Sequence, residues 1–229
     1  MHKPRVWVLP GMGADSRIFR SLTFPWSATF LEWLDPKDGE TISSYADRLL
    51  NGHDIAHNDL IFGYSFGGIV AQDWASRNKV QRVVLLNSLH HKSTVKPFFR
   101  LLSLTGILRW APKNSVIKFI FFLARLHSKP TSQLDLTIEM MEQFDDRYYR
   151  WVLKQILSWN HPTPLCPIDV IQGEVDPVFL HSTYEEKRTW TLKDAAHLSF
   201  QTHGQEISYL LKEYVDPALV KYILLFLAI

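Results

Sequence analysis

The chain has 229 residues, of which 46% are hydrophobic and 21% charged, with a formal net charge of +2, ten histidines and one cysteine. That length fits one globular domain with room for an inserted segment, and it buries enough apolar surface to fold without metal or crosslinks. The composition excludes disorder, and the single Cys166 excludes a disulfide scaffold. This thiol is expected to be buried and reduced, which fits a cytoplasmic location.

Short apolar runs alternate with amphipathic segments, the pattern of a parallel sheet covered by helices on both faces. The first run spans only Val6 to Leu9 before Pro10-Gly11, so it reads as a strand and not as an export signal. A strand over Thr29–Trp33 follows, then a helix over Ser43–Leu50 capped by Ser43 or Ser44. Next come a strand over Leu60–Gly63, a helix over Gly67–Ser76 and a strand over Val80–Leu86. From about Ser88 to His161 the alternation stops; this long, helical and aromatic stretch is expected to be a lid insertion, residues 88–161, in a core made of residues 1–87 and 162–229. Strands over Ile168–Gln172 and Trp190–Leu192 and a helix over Gln205–Tyr214 complete the core. The predicted fold class is therefore α/β: a doubly wound, mostly parallel sheet of about six strands with helices on both faces. No integral membrane segment is expected, because Arg100, Arg109, Lys118 and Arg125 interrupt the apolar middle and the Tyr222–Ile229 run is too short to span; it is expected to lie on the sheet as a helix.

The segment Leu60-Ile61-Phe62-Gly63-Tyr64-Ser65-Phe66-Gly67-Gly68 places G-x-S-x-G between an apolar strand and a helix. A serine at so sharp a turn sits in a strained conformation, and Gly63 and Gly67 let the two elements approach each other. Ser65 is the candidate nucleophile; the alternative is a serine that only caps the helix. The first strand ends in Leu9-Pro10-Gly11-Met12-Gly13-Ala14-Asp15, where small residues, Gly11 and Gly13 among them, leave backbone N–H groups free. If the sheet reverses at this strand, the N–H groups of Met12 and Phe66 converge on one oxyanion. A phosphate loop is disfavoured by the spacing.

A serine needs a base, and the base an orienting acid. The fifth strand runs into Gly173-Glu174-Val175-Asp176-Pro177, and the sixth into Ala195-Ala196-His197-Leu198-Ser199. Asp176 is the candidate acid, with Glu174 as rival; His197 is the candidate base, with His203 as rival. No carboxylate follows the fourth strand, which ends in Asn87-Ser88-Leu89. His90-His91 lacks metal-ligand spacing, and no zinc site is expected.

These segments resemble the α/β-hydrolase superfamily at Leu9–Asp15, Gly63–Gly68, Gly173–Pro177 and Ala195–Phe200. The resemblance implies a Ser65–His197–Asp176 triad, an oxyanion hole from the N–H groups of Phe66 and Met12, and a helical cap after the strand that ends near Leu86. Two departures stand out: Pro10-Gly11 replaces the family's common His-Gly, and the family's N-terminal antiparallel strands are missing. The implied activity is cleavage of a carboxylic ester or thioester through an acyl-enzyme, with no metal or organic cofactor. A lyase or aminopeptidase on the same fold, or a non-catalytic binding or membrane-surface module, are the alternatives.

Between Ser88 and Leu134 lie eight Lys or Arg and no Asp or Glu, so every acidic residue of the chain is elsewhere. Interleaved aromatic residues suit an acyl group delivered on an acidic carrier, with Lys96 and Arg100 as candidate contacts. A solvated face balanced by the acidic stretch Asp135–Asp146, or adsorption to anionic lipid, would explain the same charges. Nucleic acid is not an expected partner, as no reading module accompanies them.

Overall fold

Val6, Val8, Leu60, Phe62, Val84, Leu86 and Ile171 pack on one face of a sheet, whereas Trp7, Leu9, Ile61, Val83, Leu85 and Val170 pack on the other. A period of two is that of extended chain, and apolar residues on both sides require both faces to be covered. The structure, a computed structural model, describes residues 3–90, 110, 112–127, 132–180 and 188–214. The candidate carrier contacts Lys96 and Arg100 and the Tyr222–Ile229 run lie outside the described residues.

The strands are β1 (Val6–Leu9), β2 (Ala28–Phe30), β3 (Leu60–Tyr64), β4 (Arg82–Leu86), β5 (Ile168–Gly173) and β6 (Arg188–Leu192). Their order is β2-β1-β3-β4-β5-β6, and each neighbouring pair is parallel. The expected "mostly parallel" sheet is thus wholly parallel among the described residues. Because β2 and β3 flank β1 on opposite sides, the order reverses at β1, and the loops after β1 and β3 meet at the carboxyl edge.

Helices α1 (Ile42–Leu50) and α2 (Phe66–Ala75) cover the Trp7 face through Tyr45, Leu49, Ile69 and Trp74. The 3-10 turn Ser16–Phe19, helix α6 (Ser199–Thr202) and helix α7 (Gly204–Lys212) cover the Val6 face through Phe19, Phe200, Ile207 and Leu211. Between β4 and β5 lie α3 (Lys113–His127), α4 (Ser132–Glu142) and α5 (Asp146–Ser158). The last is fastened along its length: Trp151 Nε1 donates to Glu40 O at 2.8 Å, and Gln155 Oε1 accepts from Ile42 N at 3.0 Å. Just beyond it, Trp159 Nε1 donates to Asp73 Oδ2 at 3.1 Å. No helix among the described residues is long and apolar enough to cross a membrane.

Several boundaries differ from the sequence reading. Thr41, not Ser43 or Ser44, caps α1; Ser44 sits at the third helical position and returns the hydrogen bond, closing a capping box. Strand β2 ends at Phe30, because its partner β1 stops at Leu9 and the following Pro10 has no N–H to extend the ladder; Trp33 instead turns toward the loop after β1. Strand β6 begins early, at Arg188, whose guanidinium pairs with buried Asp169 on β5 at 2.6 Å. Cys166 is half-buried rather than buried, and its partial burial still pushes the thiol up from its usual range.

Candidate active site

A single residue, Ser65, joins β3 to α2, with φ 50° and ψ −116°. Such left-handed backbone costs a non-glycine residue about 1–3 kcal/mol and persists only where the surroundings impose it. Here close approach does so. A Cβ on Gly63 would lie 2.5 Å from Gly68 Cα, and one on Gly67 would lie 2.4 Å from Pro10 O. Two hydrogen bonds hold the Ser65 carbonyl, from Ser88 Oγ at 2.6 Å and from Gly68 N at 3.1 Å. Gly63→Ala is expected to destabilise the fold by about 2–3 kcal/mol, since backbone and not a pliant side chain blocks the methyl. Urea unfolding measures this, and a midpoint equal to wild type would refute the close-approach argument.

Ser65 Oγ stands 3.0 Å from His197 Nε2, and His197 Nδ1 stands 2.8 Å from Asp176 Oδ2. A carboxylate only accepts, so Nδ1 carries the ring proton and donates it to Asp176; Nε2 is then left to accept from the Ser65 hydroxyl. Asp176 is buried, and its other oxygen accepts from the N–H groups of Val178 at 2.7 Å and Phe179 at 3.1 Å. These bonds fix the plane of the carboxylate. Rings of Tyr64 and Phe179 flank the imidazole, with centroids 5.5 and 5.6 Å away. Burial, reinforced by the Asp176 charge, pushes the Tyr64 hydroxyl well above the usual tyrosine range, so it stays protonated and donates to His197 O.

The loop after β1 lies against this elbow. A Cβ on Gly11 would sit 3.5 Å from Ser65 Cβ, and Gly13 has φ 68° beneath the hydroxyl of Tyr149. The Gly13 N–H donates to Tyr148 Oη at 3.3 Å and the Ala14 N–H to Gly11 O at 3.1 Å. Burial pushes the Tyr148 hydroxyl well above its usual range, which keeps it a neutral phenol. From Met12 to Ala14 only the Met12 N–H is left without an acceptor among the described residues, and the Phe66 N–H, first in α2, is likewise unspent.

Both rivals are engaged elsewhere. Glu174 is exposed and accepts from Asp194 N at 3.0 Å, whereas His203 contacts Lys193 O through Nε2 at 2.9 Å and Thr202 Oγ1 through Nδ1 at 2.7 Å. The structure also adds a residue that sequence reasoning passed over. Asn87, buried and with φ 44°, donates through Nδ2 to Ala196 O at 3.1 Å, to His197 O at 2.6 Å and to Ser199 Oγ at 2.8 Å. Its Oδ1 accepts from Gly173 N at 2.7 Å. One carboxamide therefore ties the end of β4 to the two loops that carry the acid and the imidazole. The only sequence signal was an Asn, tolerant of left-handed backbone, at the end of a buried strand.

Neither a protein-family model nor a curated protein matches the chain. Solved structures do. A hydrolase from Pseudomonas aeruginosa superposes with a TM-score of 0.72 at 17% identity, over 93% of this chain and 90% of that one. A thermophilic esterase from Thermogutta terrifontis gives 0.66 at 14%, over 94% and 90%. An N-acyl homoserine lactonase bound to N-butanoyl homoserine gives 0.67 at 15%, over 93% and 89%. At such identities the likeness speaks to architecture, and together with the parallel order reversing at β1 and the strand–serine–helix elbow it shows that the chain has the α/β-hydrolase fold.

Proposed function

We propose that the protein is a serine hydrolase that cleaves a carboxylic ester or thioester. The carrying observation is the unbroken line from Ser65 Oγ through His197 to Asp176, with hydrogen-bond spacings of 3.0 and 2.8 Å. As the Ser65 oxygen attacks the acyl carbon, His197 Nε2 takes the hydroxyl proton, and Asp176 holds the imidazole tautomer and stabilises its cation. The carbonyl oxygen becomes an oxyanion, stabilised by the N–H groups of Met12 and Phe66. Collapse of the tetrahedral species breaks the bond to the alcohol or thiol, which leaves with the proton from Nε2. Water then gives a proton to His197, attacks the acyl-enzyme and releases the acid, and Ser65 recovers its hydrogen.

In this reading residues 88–161 form a lid over the core, and α5 supplies part of its wall through Tyr148 and Trp151. An acidic acyl carrier remains one form of leaving group, supported by the uniformly basic composition between Ser88 and Leu134. One of those cations, Lys113, is engaged within the chain, its ammonium donating to the carbonyls of Glu142 and Phe144 at 3.2 Å each.

A fluorophosphonate is expected to add one phosphonyl group to Ser65 of the folded wild type and none to Ser65→Ala. Incubation with a p-nitrophenyl ester should release p-nitrophenol and, early in turnover, leave one acyl group on Ser65 by mass spectrometry. An unlabelled wild type would point to a binding module; labelling without ester turnover would point to a lyase.

A further inference from the structure

In a trans peptide the N–H and C=O bonds point in opposite directions, so whatever grips a carbonyl also aims the amide hydrogen of the next residue. Both amides assigned above to the oxyanion hole belong to peptides gripped in this manner. The Phe66 N–H shares its peptide with the Ser65 carbonyl, which receives the Ser88 hydroxyl at 2.6 Å and the Gly68 N–H at 3.1 Å. The Met12 N–H shares its peptide with the Gly11 carbonyl, which receives the Trp33 indole Nε1–H at 2.8 Å and the Ala14 N–H at 3.1 Å. Each donor peptide thus carries one side-chain clamp and one backbone clamp on its carbonyl end.

The two clamps differ in what else restrains their peptides. The Ser65 peptide opens a helix and lies inside a close-packed elbow, whereas the Gly11–Met12 peptide belongs to a loop outside helix and strand, with a glycine on its carbonyl side that brings no Cβ of its own to restrict rotation. Without the indole, only the Ala14 N–H across a tight turn would hold the carbonyl, and a rotated peptide would present oxygen instead of hydrogen to the oxyanion.

Trp33 is itself braced for the task. It is half-buried, and its ring lies 5.3 Å from the Phe66 ring and 6.2 Å from Tyr45. The Tyr45 hydroxyl accepts from Leu34 N at 3.0 Å and donates to Leu34 O at 2.8 Å, pinning the backbone beside the indole. Burial pushes that hydroxyl up from its usual range, so it keeps the hydrogen it donates. The indole therefore leans on the side chain of one hole residue while its N–H sets the peptide of the other.

We propose that Trp33 is a positioning residue for the oxyanion hole, holding the Gly11 carbonyl so that the Met12 N–H faces the developing charge. The inference rests on the hydrolase reading, and its test separates the two. Fluorophosphonate labelling of Ser65 in the wild type checks the reading; Trp33→Phe, which keeps a ring against Phe66 but removes the N–H donor, checks the inference. With p-nitrophenyl butyrate, Trp33→Phe should lower kcat by about 10–100-fold, less than outright loss of a hole donor, and leave KM within about twofold. Affinity for an alkyl trifluoromethyl ketone, whose hemiketal oxyanion occupies the hole, should fall by the same factor as kcat/KM. Incorporating 3-benzothienylalanine at position 33 repeats the test with the indole shape retained and the N–H replaced by sulfur, which settles the matter if Trp33→Phe folds poorly. Wild-type kcat in either folded variant, or a loss confined to KM with ketone affinity intact, would overturn the proposal while leaving the Ser65 labelling result in place.

Discussion

Asp176→Asn is expected to lower kcat about 10⁴-fold at neutral pH with little change in stability, through the imidazole tautomer. The Val178 and Phe179 N–H groups both point at Asp176 Oδ1. In the variant they must keep the amide oxygen, because an NH₂ group cannot accept from them. The NH₂ then faces His197 Nδ1, which has to become the acceptor and move its proton to Nε2. A protonated Nε2, 3.0 Å from Ser65 Oγ, no longer takes the hydroxyl proton. Steady-state kinetics on a p-nitrophenyl ester gives the magnitude, and ¹⁵N chemical shifts of the imidazole give the tautomer. A loss smaller than about tenfold, or an unchanged tautomer, would remove Asp176 from the orienting role.

The second large effect is expected at Asn87→Asp, a change of one functional group. Three oxygens, Ala196 O, His197 O and Ser199 Oγ, receive the Asn87 NH₂, and only one of them can turn into a donor. A carboxylate there sets negative charge against two carbonyls in a buried site, at a cost of about 3–5 kcal/mol. The same repulsion displaces the His197 backbone, so activity should fall together with stability. Because the introduced carboxyl is charged only at a penalty in the folded state, its folded pKa lies above its unfolded value. The destabilisation is therefore complete above the folded pKa and shrinks as pH falls through it. Urea midpoints from neutral to mildly acidic pH should converge on those of wild type from below. A pH-independent gap would mean that shape rather than charge is responsible.

Why the strands were readable and parts of the site were not follows from where each signal resides. Val6–Leu9 was predicted to the residue because every position in it is apolar and Pro10-Gly11 ends it sharply. Arg188 and Thr189 were missed because their pairing is with β5, where buried Asp169 makes a polar strand start favourable. Ser65 was legible since strand, serine and glycines are contiguous, and the structure brings His197 and Asp176 to it from about 110–130 residues downstream in the chain order expected of this elbow. Asn87 was not, because a carboxamide at the end of β4 gives no local sign that its partners lie 86 to 112 residues downstream. Trp33 falls at the end of an expected strand and Tyr148 inside the expected lid; nothing local to either announces that one polar atom on each reaches the Gly11–Gly13 loop across 22 and 135 residues.

Helix α5 is stitched to the loops and helices around the sheet by Tyr148 to Gly13, Trp151 to Glu40, Gln155 to Ile42 and, past its end, Trp159 to Asp73. Stitches at successive turns make it travel with the central layer as masonry rather than as a shutter. Room beside the elbow would then be gained by trimming side chains along this rib, because prising the rib outward would pull on the Gly11–Gly13 loop that rests against Ser65.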